Sequence, residues 1–247
     1  MSVKKQRLDQ ILFNRNLAES KTKAQAMIMA GQVFVDGKNI NKSGFNINSN
    51  AVIEIKNLGP KWVSRGATKL LTALEKNKII VRDKICIDLG SSTGGFTDVL
   101  IHNGANKVYA VDVGTNQLHE KLKKNNRVIS LEKTNARYLK KDQFEELIDI
   151  MVCDVSFISL KKVIEPNLNL LKDESVIISL IKPQFESKKN ETKKGVVRDP
   201  LIHQRICNEI SEWFESIYDS KVLSIIESPI KGPKGNTEFL ITVKYQK

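Results

Sequence analysis

The chain has 247 residues, enough for one large domain or a medium one with a small appendage. Lys and Arg total 40 against 28 Asp and Glu, a net charge of +12 that favours a polyanionic partner. No apolar run is long enough to cross a bilayer, and Met1-Ser2-Val3-Lys4-Lys5 leads into no apolar signal core, so a cytoplasmic protein without a membrane partner is expected.

The charge is unevenly placed: residues 1–62 hold ten Lys/Arg and four Asp/Glu, half of the net charge in a quarter of the chain. Residues 7–30 read as two short helices. Leu8, Ile11 and Leu12 form the apolar stripe of the first, with Arg7 and Arg15 beside it. Ser20 is a favourable N-cap for the second, whose stripe is Ala24, Met27 and Ile28. Lys21 and Lys23 stand in its first turn, where the helix dipole disfavours cations. A bound phosphate would offset that cost; two solvated lysines are the alternative. Gly31 ends the helix, Gln32-Val33-Phe34-Val35 alternates as a strand, Asp36-Gly37 is a hairpin turn, and Ala51 to Ile55 is a further strand. Lys56-Asn57-Leu58-Gly59-Pro60 carries breakers and reads as a linker.

This order resembles the S4 RNA-binding domain, on Arg7-Leu8-Asp9, Leu17-Ala18-x-Ser20 and Gly31-Gln32-Val33-x-Val35-Asp36-Gly37. The resemblance implies a small α+β domain over residues 1–58, a linker at 59–63 and a second domain at 64–247. It also implies RNA contact through Arg7, Arg15, Lys21, Lys23 and Gln25.

From Lys69 helix and strand alternate, which predicts an α/β domain with a parallel sheet and helices on both faces. An apolar strand from Ile85 ends in Asp88; a turn of Gly90, Ser91, Ser92, Thr93, Gly94 and Gly95 follows, and a helix begins near Phe96. In an open α/β sheet such a turn is where a nucleotide-like ligand sits. The glycines lack the spacing of a dinucleotide site, and no Gly-Lys-Ser/Thr ending marks a P-loop. An acid before a glycine turn with no phosphate signature suits a ligand bearing an amine and a ribose. S-adenosylmethionine fits; a tight turn of another α/β enzyme is the alternative.

The next strand ends in Asp112, placed to take ribose hydroxyls or to cap a helix. Val128 to Leu131 follows, and then Asn135-Ala136, a position that meets an adenine base. Strands from Asp149 and Ser175 end at Asp154 and Lys182, so Asp88, Asp112, Asp154 and Lys182 should converge on one crevice. Partial burial would favour a neutral Lys182 amine and make it a usable base; a Lys182–Asp154 salt bridge that merely satisfies two buried charges has the same geometry. The charged stretch Ser187 to Arg198 reads as a mobile loop that contacts RNA, or as a plain solvated loop. Cys86, Cys153 and Cys207 lack metal-ligand spacing and are odd in number, so reduced structural thiols and no metal are expected. His102, His119 and His203 fall on predicted helices and read as surface or packing residues.

Residues 62–247 resemble the FtsJ-type Rossmann methyltransferases that modify RNA ribose 2′-hydroxyls. The matching segments are Val63-Ser64-Arg65-Gly66, Asp88 to Asp98, Asp154-Val155-Ser156-Phe157-Ile158-Ser159, Ile181 to Glu186, Gly195 to Asp199 and Gly232 to Phe239. With the S4-like part in front, the whole chain is similar to the TlyA (hemolysin A) family of ribosomal RNA methyltransferases. Departures are small: Ala67-Thr68 replaces a common second glycine, Ser91 a common alanine, and one glycine precedes Val196.

The resemblance implies a catalytic Lys–Asp–Lys–Glu tetrad at Lys69, Asp154, Lys182 and Glu238. Alone, Lys69 reads as a helix-surface lysine and Glu238 as an exposed turn acid. It implies S-adenosylmethionine and no metal, the cofactor held by Asp88, Gly90, Ser92, Thr93, Gly94, Gly95, Phe96, Asp112, Asn135, Ala136 and Asp154, with Arg65 added to the RNA-binding set. The implied reaction is methylation of a cytidine 2′-hydroxyl in ribosomal RNA of the large subunit, and in some members of the small one, so the partners are ribosomal RNA and ribosomal subunits. The sequence sets neither the modified subunit nor the oligomeric state. The alternatives are a non-catalytic RNA-binding assembly factor and a pore-forming hemolysin; the latter conflicts with the lack of a spanning run.

Overall fold

The computed structural model describes residues 5–29, 31–55 and 62–247, so most of the linker expected at 59–63 lies outside the described residues. The chain divides into two compact units, Met1–Lys61 and Trp62–Lys247.

The first unit contains β1 (Lys5–Arg7), α1 (Leu8–Asn14), α2 (Lys21–Met29), β2 (Val33–Val35), β3 (Lys38–Asn39), β4 (Asn46–Asn48) and β5 (Ile53–Ile55). Both helices form because their apolar residues recur on one side. Leu8, Ile11 and Leu12 of α1 meet Ala24 and Ile28 of α2 over Val33, Val35 and Ile47. Ser20 Oγ accepts from Lys23 N at 3.0 Å, which is the N-cap read from the sequence. Asp36 and Gly37 both have positive φ, 47° and 77°, as a two-residue hairpin turn between β2 and β3 requires. The β1–β4 pair was not expected; it is three residues long and has no alternating pattern to announce it.

The second unit runs α3 (Ala67–Asn77), β6 (Ile85–Leu89), α4 (Gly95–His102), β7 (Lys107–Val111), α5 (Glu120–Lys123), β8 (Val128–Leu131), β9 (Ile148–Cys153), α6 (Lys161–Ile164), β10 (Leu171–Ile181), α7 (Pro183–Glu186), α8 (Pro200–Glu215), β11 (Lys221–Glu227) and β12 (Phe239–Gln246). The sheet order is β11-β12-β10-β9-β6-β7-β8. Strands β10, β9, β6, β7 and β8 pair in parallel, while β12 runs antiparallel to both neighbours. The expected parallel sheet is thus mixed. A parallel neighbour needs a helical crossover; only the short segment 228–238 joins β11 to β12, and it can only turn the chain back.

The central strands are buried on both faces, which is why they read as unbroken apolar runs. Ile85, Ile87 and Leu89 face one core with Val163 and Ile164 of α6 and Ile206, Ile210 and Phe214 of α8. Cys86, Val108 and Ile150 face the other with Leu70 and Leu74 of α3 and Val99 and Leu100 of α4. All three cysteines are buried and free. His102 stacks edge-on against Trp62, and His203 hydrogen-bonds Val197 O and packs on Phe239. His119 is not within a helix; its Nδ1 caps α5 by accepting from Lys121 N. Among the described residues no helix is long and apolar enough to cross a membrane.

Candidate active site

Strands β6, β7, β9 and β10 deliver Asp88, Asp112, Asp154 and Lys182 to the same edge of the sheet. Below Asp88, Gly90 takes φ 83°, and a Cβ there would stand 2.9 Å from the Asp154 carbonyl oxygen. The turn can therefore cross the end of β9 only with glycine at this point. Two adjoining cavities share Gly90, Ser92, Asp154 and Ser156. The smaller, about 250 Å³, is lined by Lys69, Asp88, Gly95, Phe96, Lys182 and Glu238. The larger, about 540 Å³, is lined by Asp112, Asn135, Ala136, Phe157 and Ile158.

A chain of charges forms the floor of the smaller cavity. Glu238 Oε2 accepts from Lys69 Nζ at 2.7 Å, and Lys69 Nζ reaches Asp154 Oδ2 at 3.4 Å. Asp154 Oδ1 pairs with Lys182 Nζ at 2.5 Å, and Lys182 Nζ also donates to Ser156 Oγ at 3.0 Å. Lys69 and Lys182 are each 7% exposed and Glu238 only 1%. Neither Lys69 nor Glu238 is the surface residue its local pattern suggests. Two cations against two carboxylates leave the cluster formally neutral, the condition under which charges are tolerated at this depth. Glycine at 232 is part of that arrangement, since a Cβ there would collide with Glu238 Oε1.

Asp88 is 1% exposed, and burial pushes its carboxyl up to about 7, against two hydrogen bonds from Thr97 that favour the charged form. Those bonds, from Thr97 N at 3.0 Å and Oγ1 at 2.7 Å, both reach Oδ2; Oδ1 is buried and has no partner. Asp112 is not a helix cap. Its Oδ2 accepts from Ser92 N at 2.8 Å and its Oδ1 from Gly114 N at 2.7 Å, so it braces the glycine turn at the mouth of the larger cavity. Asn135 Oδ1 caps the short turn Ala136–Tyr138 through Arg137 N. Thr93 lines the smaller cavity; Gly94 does not, and a Cβ there would collide with Leu118 and Leu122. Gly94 thus serves the packing of α5.

Two residues at the rim were not singled out from the sequence. Ser156 bridges the cavities and holds Lys182. Phe157 is 90% exposed at φ 65°, with its ring against Phe185. An exposed phenylalanine in a strained backbone is the kind of signal only coordinates give. Glu186 fixes this loop by accepting from Ser159 Oγ and Leu160 N at 2.7 and 2.6 Å.

In the first unit the expected RNA-contact residues divide. Arg7 and Gln25 both donate to Asp9, whose carboxyl the Arg7 guanidinium holds down at about 2. Arg15 donates to the carbonyls of Ala51 and Ser49 at 3.0 and 2.5 Å and so ties α1 to the β4–β5 connection. Lys21 and Lys23 are exposed and make no ion pair among the described residues. Arg65, in the second unit, is likewise exposed.

The FtsJ-like methyltransferase family model matches residues 62–245, and the S4 domain model matches residues 6–53. The chain belongs to the TlyA family of S4-bearing, FtsJ-like methyltransferases. It is 42% identical to hemolysin A of Brachyspira hyodysenteriae, over 95% of this chain and 98% of that one. It is 37% identical to the 16S/23S rRNA (cytidine-2′-O)-methyltransferase TlyA of Mycobacterium tuberculosis, over 97% of this chain and 90% of that one. A solved structure from Streptococcus thermophilus that carries a hemolysin name superposes with TM-score 0.73 at 38% identity, covering 100% of this chain and 90% of that chain.

S-adenosylmethionine is the cofactor of these FtsJ-like methyltransferases. The residues present fit it. The unpartnered, buried Asp88 Oδ1 and the close crossing at Gly90 prepare the smaller cavity for a polar ligand. Beside it, the larger cavity sets Asp112 and Asn135 against the apolar Ala136 and Ile158, as a ribose joined to a base would need. Among the described residues no group of His, Cys, Asp and Glu could hold a metal ion.

Proposed function

We propose that this protein methylates the 2′-hydroxyl of a cytidine in ribosomal RNA, in the 23S RNA of the large subunit alone or in 16S RNA as well, with ribosomal subunits as its partners in the cytoplasm. The observation that carries the reading is Lys182 Nζ, held between Asp154 Oδ1 and Ser156 Oγ where the two cavities meet. Two of the positions on Lys182 Nζ are taken by these partners, and the third is left for a substrate hydroxyl. A ribose hydroxyl is a poor nucleophile at neutral pH, so a base at hydrogen-bond distance is what the reaction lacks in water.

When bound, S-adenosylmethionine supplies a methyl group on a sulfonium that departs as a neutral thioether. Lys182 Nζ would orient the substrate hydroxyl toward that methyl group and take up the hydroxyl proton. Lys69 sits between Glu238 and Asp154 and fixes the Asp154 side chain that aims Lys182. Asp88, Gly90, Ser92, Thr93, Gly95 and Phe96 would hold the amino-acid end of the cofactor, and Asp112, Asn135 and Ala136 its nucleoside end. Phe157 offers a stacking face for a base at the rim. Arg65 and, in the first unit, Lys21 and Lys23 with the outer faces of Arg7, Arg15 and Gln25 hold the RNA backbone.

The test is transfer of a labelled methyl group to separated 30S and 50S subunits and to 70S ribosomes, with Lys182→Ala as control. Label in 2′-O-methylcytidine, absent with the variant, supports the reading and names the subunit. No label on any particle, with cofactor binding intact, overturns it.

A further inference from the structure

Lys193, Lys194, Arg198 and Lys234 surround a cavity of about 550 Å³ over the buried Val196. They stand on two loops. One leaves Lys182 through α7, and the other arrives at Glu238. Asn236, 3% exposed, clamps the two together: Nδ2 donates to the carbonyls of Gly195 at 3.1 Å and Pro233 at 3.0 Å, and Oδ1 accepts from Val197 N at 3.3 Å. Lys193 and Val196 exchange both backbone hydrogen bonds, at 2.9 and 3.1 Å. The stretch expected to be a mobile loop is therefore pinned at several points. Lys194 and Lys234 both hold positive φ, 54° and 57°, a conformation that is unfavourable for lysine and is kept by this clamp.

None of the four cations forms an ion pair among the described residues; of the acids nearby, Asp199 caps α8 by accepting from Leu201 N at 2.9 Å, and Glu191 and Glu227 are paired elsewhere. Glu191 pairs with Arg205 at 2.7 Å and Glu227 with Lys231 at 2.6 Å. Like charges gathered around a concavity repel one another and focus a positive potential into it. Pro233 lines the catalytic crevice and Lys234 lines this cavity, so the two are one residue apart, about 3.8 Å along the chain.

We propose that this cavity seats a backbone phosphate of the RNA substrate beside the nucleotide being modified. The catalytic unit then has a phosphate grip of its own, on the same two loops that carry Lys182 and Glu238. The proposal rests on the RNA-methylation reading and adds the place where the strand is held. A phosphate neutralises the repulsion and is read without regard to sequence.

The experiment compares full-length Lys193→Gln/Lys234→Gln with Lys221→Gln/Lys244→Gln. The control lysines are exposed, face each other across β11 and β12, and remove the same net charge far from the loops. Binding of a fluorescein-labelled single-stranded RNA is followed by anisotropy across a salt series. The first variant should bind about tenfold more weakly, its log–log salt slope shallower by about 0.7 for each phosphate it no longer neutralises, and the control should match the parent. With ribosomal substrate the first variant should show a raised RNA KM and an unchanged kcat. Equal losses in both variants, or none in the first, overturn the phosphate site. The binding arm needs no turnover, so it decides the site even if no ribosomal particle is methylated. Methylation by the parent with an unchanged slope in the variant removes the site and leaves the methyltransfer reading standing.

Discussion

The two compact units treat cations in opposite ways. In the first, Arg7 and Arg15 are engaged by the unit's own Asp9 and main-chain carbonyls, and Lys21 and Lys23 stand outward at the start of α2. In the second, Lys69 and Lys182 are drawn under the surface and each is given a carboxylate. An exposed lysine without an ion pair is held by no partner, so replacing it costs the fold little. A buried one costs stability unless its partners are in place, so residues 69, 154, 182 and 238 must be brought together by the whole fold. Single substitutions should therefore be mild at the outward lysines of the first unit and severe at the crevice of the second.

The sharpest test is Lys69→Met. It leaves Glu238 buried without its cation, and should lower stability by about 3–5 kcal/mol. Methyl transfer should fall by on the order of 10²–10⁴-fold, read by single-turnover labelling beside a denaturant melt. A variant that keeps both stability and turnover would erase the contrast. Leu8→Ala removes a fully buried side chain from the small core of the first unit, and should cost about 2–5 kcal/mol there. Cofactor binding, measured by calorimetry, should survive it; parallel loss would mean the units do not act separately.

Asp88→Asn should change the pH dependence. The folded carboxyl titrates near 7, above the ordinary value of 3.8, so the parent loses stability relative to the variant as pH rises between those two values and no further above them. Denaturant titrations below and above that window should differ by a few kcal/mol, and a constant difference would refute the burial argument. Gly90→Ala introduces a Cβ 2.9 Å from the Asp154 carbonyl at positive φ and should cost about 1–3 kcal/mol, with weaker cofactor binding. Lys23→Ala should be the mildest: an unchanged melt, and a salt slope for RNA shallower by about 0.7–0.9.

The parts of this arrangement that local pattern could show were the ends of strands. An apolar run stops where the chain leaves the sheet, so Asp88, Asp112, Asp154 and Lys182 announce themselves as neighbours at one edge. Ser20 and Asp36-Gly37 were legible for the same reason, since a cap and a two-residue turn are made by adjacent residues. Lys69 and Glu238 were not. Nothing in α3 or before β12 says that either side chain is buried, and only family resemblance pointed to them. Arg15 shows a second gap: it is exposed, as a residue beside the apolar stripe should be, but nothing local says that its guanidinium also holds main-chain carbonyls some 34 and 36 residues away in sequence. The reversal of β12 was hidden too, because strand direction depends on how the chain returns and leaves no mark on composition.

That reversal bears on how the enzyme comes into being. Because β12 runs against the other strands, its first residue, Phe239, lies beside Ile181, the last of β10. The segment that precedes β12 thereby reaches the catalytic edge, and Glu238 arrives with it. A nascent chain or proteolytic fragment that stops before Glu238 holds Lys69, Asp154 and Lys182 yet leaves a gap in the sheet between β10 and β11. Its crevice has an unbalanced positive charge and an incomplete wall. The strand that completes the sheet is thus also the one that brings Glu238 to Lys69.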